Sequence, residues 1–173
     1  MKSYLEIRVP ISFNLPWFKE LREAFSGILV KWQTGYYHIT MAFLDDTRNL
    51  QEVETIMHKY LDNANAVEMT FNKLDVFTAN NGMQIIHLTT DKIPYEFQKL
   101  VNDLRYDICN TSTRILSEFR LHVTLGRIKE PLIDIKHVSS LINKINFIPF
   151  TLMLNEVEYR VFRGRSIYKN TLH

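Results

Sequence analysis

Cysteine is almost absent from this chain: Cys109 is the only one in 173 residues. That excludes a disulfide framework and any metal site built from several thiolates, and it agrees with a reducing cytosol. Glycine and proline are scarce, five of each, which argues against a linker-rich or disordered chain. Long apolar runs are missing too. The most apolar late stretch, residues 145–154, contains Asn146 and Pro149, far short of the roughly 20 apolar residues of a membrane span. The opening MKSYLEIRVPISF is interrupted by Glu6 and Arg8 and predicts no secretory leader. A strong charge of one sign is lacking as well. Twenty-one basic against 19 acidic residues leave a net +2, which permits a polyanionic ligand without demanding one.

What is present is an ordinary globular balance, 46% hydrophobic and 23% charged, in a length that suits one domain over residues 1–173. Alternation and β-branched content predict strands at 4–9, 36–44, 69–77, 83–89, 121–128, 150–161 and 166–168. Apolar residues at helical spacing predict helices at 16–25, 49–61, 94–108 and 134–145. Asn80-Asn81-Gly82 between two apolar runs marks a hairpin, and Arg163–Arg165 marks another. The mixed order, with hairpins, predicts an α+β fold with antiparallel sheets rather than a parallel doubly wound one.

One tripeptide occurs twice. His38-Ile39-Thr40 lies in YYHITMAFL, and His122-Val123-Thr124 lies in FRLHVTLGRI. In a strand, residues i and i+2 share a face. Each copy therefore presents an imidazole beside a hydroxyl, with the aliphatic residue turned away. Two such strands meeting in one groove suit phosphodiester chemistry. One histidine, with its ordinary pKa near about 6.5, serves as base and the other as acid, while the hydroxyls hold the phosphoryl oxygens without a metal. A lone His-x-Thr is more often structural; the repetition in matching apolar surroundings is what shifts the balance. Neither copy has a carboxylate nearby to complete a metal site. His87-Leu88-Thr89 is formally a third copy, on the second arm of a hairpin. His58, His137 and His173 read as surface positions, and Cys109 as inert.

These residues resemble the two-histidine phosphoesterase superfamily, and within it the 2′-5′ RNA ligase-like RNA 2′,3′-cyclic phosphodiesterases. The similarity runs from about residue 2 to 168. Beyond the two motifs it takes in Trp32, the segments 73–77 and 84–88 of a middle hairpin, and a closing hairpin from Glu156 to Tyr168. The resemblance implies a bilobal molecule: two pseudo-symmetric lobes of antiparallel sheet, with outer helices, around a central groove holding both motifs. It implies His38 and His122 as the catalytic pair, with acid and base roles left open, and Thr40 and Thr124 as phosphate-binding. It implies hydrolysis of 2′,3′-cyclic phosphate ends of RNA or small nucleotides with no metal and no cofactor, by a cytoplasmic monomer without membrane association. Some relatives seal 2′-5′ linkages, and others cleave 2′-5′ oligonucleotides or cyclic dinucleotides. A non-catalytic module that binds RNA ends or nucleotides is the reading from outside enzymology.

Five further residues are candidates for substrate contact. Tyr36 precedes His38 by two on the same strand face, and fits either the groove or the core. Arg127 stands where many relatives carry arginine, but strict alternation turns it away from His122, so a phosphate role needs a bulge or a strand end; a salt bridge is the other reading. Phe43, its counterpart in the first motif, fits the core or a base-stacking site. Arg163 belongs to a basic C-terminal cluster with Arg160, Arg165 and Lys169. Tyr168 is similar to a family tyrosine near the site. The first motif departs from the family by running into Asp45-Asp46, charges that disfavour a long RNA backbone.

Overall fold

The computed structural model describes residues 2–12, 14–45, 49–130 and 133–173; Asp46 lies outside them. The chain is α+β. Its strands are β1 (Ser3–Val9), β2 (Val30–Trp32), β3 (Tyr37–Asp45), β4 (Val67–Phe71), β5 (Lys73–Thr78), β6 (Gln84–Thr89), β7 (Arg114–Ile115), β8 (Val123–Ile128), β9 (Phe150–Leu154), β10 (Glu156–Val161) and β11 (Ser166–Thr171). Its helices are α1 (Pro16–Ala24), α2 (Leu50–Leu61), α3 (Tyr95–Cys109) and α4 (Ile135–Ile142). Each helix begins where the sequence supplies a start signal. Pro16 opens α1 and Pro94 precedes α3. The side chains of Asn49 and Asp134 accept from the backbone amides of Glu52 and Lys136 and so cap α2 and α4. None of the described helices is long and apolar enough to cross a membrane.

Among the described residues, nine strands form one antiparallel sheet in the order β11-β10-β1-β3-β8-β6-β5, with β2 added on β8 and β7 on β3. The sheet has two halves, but they are continuous rather than separate sheets. The junction between β3 and β8 is a single rung, Ile39 paired with Val123. Beyond that rung the strands part. β8 takes β2 as its partner, with Trp32 opposite Gly126, and β3 takes β7, with Leu44 opposite Ile115. The core lies behind the sheet. α2 and α3 back the β1/β3 half, while α1 and α4 back the β5/β8 half. Phe18 of α1 meets Trp32 and Tyr37 edge-on at about 6 Å.

Two strands expected to be continuous are each broken. Residues 69–77 divide at Asn72 and residues 150–161 divide at Asn155, and the outer pieces β4 and β9 pair with each other as a separate two-stranded sheet. The cause is a slip in phase. Asn72 and Lys73 are exposed in succession, as are Asn155 and Glu156, so alternation restarts on the other side of each asparagine. The Asn72 side chain instead accepts from the backbone amide of Asp91 at 3.0 Å.

Candidate active site

The rung between Ile39 and Val123 joins the middle residues of the two repeated tripeptides. In an antiparallel pair the flanking residues then face one another on the opposite side of the sheet: His38 towards Thr124, and Thr40 towards His122. All four side chains line a single cavity of about 720 Å³.

Each strand also carries a bulge three residues after its histidine. Across β1 and β3, Leu5 pairs with Ala42 and Glu6 with Thr40, which leaves Met41 as the extra residue. Across β6 and β8, Ile86 pairs with Gly126 and His87 with Thr124, which leaves Leu125 as the extra residue. A bulge reverses the side-chain phase beyond it. Met41 and Leu125 are fully buried, and Phe43 and Arg127 swing into the cavity. The bulge required for Arg127 to reach the site is therefore present, and its guanidinium also donates to Gln33 Oε1 at 3.1 Å.

Burial governs the ionisation of the histidines. His38 is pushed down to about 4, first by burial and then by the positive charge of His122, Arg127 and Arg160. His122 is lowered mainly by burial, with Arg120 and Arg127 adding to it; its contact with the Arg120 carbonyl acts the other way. That contact joins Nδ1 and the carbonyl oxygen at 3.0 Å. A carbonyl only accepts, so the proton is on Nδ1 and the lone pair on Nε2. His87 packs edge-on against the His122 ring at 6.0 Å. It is 5% exposed and is also pushed down to about 4, chiefly by burial.

The remaining candidates divide. Phe43 and Arg127 line the cavity. Tyr36 does not: its ring lies 5.6 Å from that of His38, on the far side, and its hydroxyl donates to Glu6 Oε1 at 2.6 Å. Arg163 sits at φ 56° in the β10–β11 turn and stacks on Phe162 at 5.3 Å; Phe162, not Arg163, reaches the cavity. Tyr168 is on the helix side, buried, with its hydroxyl donating to Asp62 of the α2 C-terminus at 2.9 Å. A register shift between Tyr159 and Arg160 sets its direction.

Several cavity residues escape sequence reading. Tyr4 and Phe162 join Phe43 in lining the cavity, as do Phe77, Phe119 and Arg120. Arg120 lies over the Phe77 ring at 4.5 Å, and Phe77 packs on His122 at 5.2 Å. Arg120 alone carries a signal: it precedes His122 by two residues, as Tyr36 precedes His38.

No family model matches the sequence, and no curated protein does. Solved structures do match over nearly the whole chain. TT0787 of Thermus thermophilus superposes with a TM-score of 0.69 at 14% identity, covering 99% of this chain and 98% of that one. E. coli LigT complexed with 3′-AMP gives 0.64 at 15%, covering 99% and 97%. The MHV ns2 PDE domain gives 0.55 at 12%, covering 99% of each chain. The fold is the one these three structures share.

Proposed function

We propose that residues 1–173 form a single two-histidine phosphoesterase domain that hydrolyses 2′,3′-cyclic phosphate ends of RNA or small nucleotides, acting as a cytoplasmic monomer. The observation that carries this reading is the rung between Ile39 and Val123, which gathers both His-x-Thr pairs at one cavity. LigT has been crystallised with 3′-AMP, ATP and NADP+, and nucleotides are the ligand class carried over here.

The cavity supplies each group the reaction needs. One histidine takes a proton from water, whose oxygen attacks phosphorus. The bond from phosphorus to one ribose oxygen breaks, and that oxygen takes a proton from the other histidine. The product is a phosphomonoester with a free hydroxyl. The histidines end with their protonation exchanged and reset through solvent. Thr40, Thr124 and Arg127 donate to the non-bridging oxygens, where charge builds up in the transition state. Both histidines are shifted towards neutrality, and an anionic phosphodiester beside them draws a proton back onto one.

A second reading has one observation in its favour. Aromatic residues from both halves of the sheet line the cavity, Tyr4 and Phe43 from β1 and β3 and Phe77 from β5, which suits a substrate with a base on each side of the scissile diester. That substrate class is a 2′-5′ oligonucleotide or a cyclic dinucleotide.

Turnover in EDTA separates these readings. The panel is a nucleoside 2′,3′-cyclic phosphate, a short RNA ending in one, a 2′-5′ oligoadenylate and a cyclic dinucleotide. Wild type turns over at least one of them, and His38→Ala or His122→Ala each lower that rate by roughly 10²–10⁴-fold, the usual contribution of a positioned acid or base. Preference for the last two substrates selects the second reading. Tight binding without turnover of any member makes the chain a nucleotide-binding module.

A further inference from the structure

The two halves place different groups behind their histidines. Glu6 of β1 stands opposite Thr40, and His87 of β6 stands opposite Thr124, so the two are counterparts. Behind His122 lies an imidazole; behind His38 lies a carboxyl group, 0% exposed. Glu6 Oε1 accepts from the Tyr36 hydroxyl at 2.6 Å. Oε2 is buried, has no hydrogen-bond partner among the described residues, and lies 3.8 Å from His38 Nε2. A buried, half-satisfied carboxyl group in mid-strand is costly and calls for a reason.

The backbone treats the histidines differently as well. His122 and His87 each set Nδ1 against the carbonyl two residues back, at 3.0 Å and 3.2 Å. The corresponding carbonyl for His38, that of Tyr36, is taken by the Gln33 side-chain amide at 3.2 Å. His38 Nδ1 is buried without a hydrogen-bond partner among the described residues. The main chain therefore fixes the His122 tautomer, with Nε2 towards the cavity, while burial favours its neutral form; no main-chain contact does this for His38, whose near neighbour is Glu6.

We propose that Glu6 is a positioning residue that holds His38 as the imidazolium when substrate is bound, making His38 the general acid and His122 the general base. This rests on the phosphodiesterase reading above. The charged and titratable groups around the pair are Tyr4 and Arg8 from β1, Tyr36 before β3, His122 and Arg127 from the β8 segment, and Glu158 and Arg160 from β10. Burial raises the Glu6 carboxyl group, while burial and the neighbouring cations lower His38. Both groups therefore lean towards their neutral forms. A phosphodiester anion offsets Arg127 and Arg160, and His38 takes up a proton with the Glu6 carboxylate 3.8 Å from Nε2, near enough to favour the charged ring but not bonded to it, so Nε2–H stays free for the substrate. In the reaction a water proton goes to His122 Nε2 and the His38 proton goes to the departing ribose oxygen.

The test is Glu6→Gln, which keeps the shape and an acceptor for Tyr36, read by ring-resolved NMR titration of the histidines with inorganic phosphate bound and by the pH dependence of kcat. In wild type His38 takes up its proton at higher pH than His122. Glu6→Gln lowers the His38 titration by about one pH unit or more, the effect expected of losing an opposite charge at this range, and moves the alkaline limb of the kcat profile the same way. At neutral pH kcat falls by about 10-fold or more with KM held, a fraction of a full general-acid contribution. His122 protonating first, or an unchanged His38 titration in Glu6→Gln, overturns the proposal. Should Glu6→Gln fail to fold, the order of titration in wild type decides alone. Absence of turnover across the substrate panel overturns the phosphodiesterase reading instead, and the NMR titration still reports on the Glu6–His38 pair.

Discussion

Phe43 and Arg127 occupy equivalent places in the two halves. Each follows its motif histidine by five residues, each lies just past a bulge, and both line the same cavity. One is an aromatic ring and the other a cation, so the site is symmetric in backbone and asymmetric in chemistry.

Removing the two side chains separates these roles. Arg127→Ala weakens inorganic phosphate and 3′-AMP alike by about 10-fold or more, since hydrogen bonds to charged groups are worth about 1.5–3 kcal/mol. Phe43→Ala weakens 3′-AMP and leaves inorganic phosphate unchanged, because only the nucleotide has a base to stack. Calorimetric titration of both ligands into both variants reads this directly.

Gly126 is where the β8 bulge meets β2. A Cβ built there falls 2.7 Å from Val30 Cγ1 and 2.9 Å from the Trp32 ring. Gly126→Ala is therefore destabilising by about 1–3 kcal/mol, the usual cost of overpacking. Gly27→Ala, with nothing within 4 Å, is close to neutral. Chemical denaturation of the two variants gives the comparison.

Stability follows pH through the buried rings. His38 and His87 lie at about 4 in the folded chain, against about 6.5 unfolded. Between those values the unfolded chain binds more protons, so stability is intact above about 6.5 and is lost as pH falls towards 4. Glu6, shifted up by burial, acts with the opposite sign, but it is one group against two. The melting temperature thus falls on acidification from pH 7 to 4, and His87→Phe makes the fall shallower. Thermal melts in a buffer series test both statements.

Tyr168 acts on stability. Tyr168→Phe removes the bond to Asp62 and costs roughly 0.5–1.5 kcal/mol, while turnover and nucleotide affinity stay at wild-type levels. Denaturation and kinetics on one preparation check the pair of outcomes.

The helices and the repeated tripeptides are legible because they are local patterns. Val53 and Met57 at helical spacing are buried on α2 as expected, and His38 and Thr40 share a face because a strand alternates. Contributions that cross between strands are not legible. Glu6 and Phe77 reach the site only through the register of β1 on β3 and of β5 on β6. Bulges lie between these cases. The sequence shows that Arg127 needs one, but not that Leu125 provides it. The register shift at Tyr159 and Arg160 leaves no mark in the sequence. The phase slips at Asn72 and Asn155 are visible as paired polar residues in otherwise alternating runs.

The single rung between Ile39 and Val123 bears on how such a site persists. The spacing of its histidines and threonines is written in main-chain pairing and two bulges, not in any particular core side chain. The interior is then free to drift, provided the register holds. Superposition along 99% of the chain at 12–15% identity is what that freedom permits.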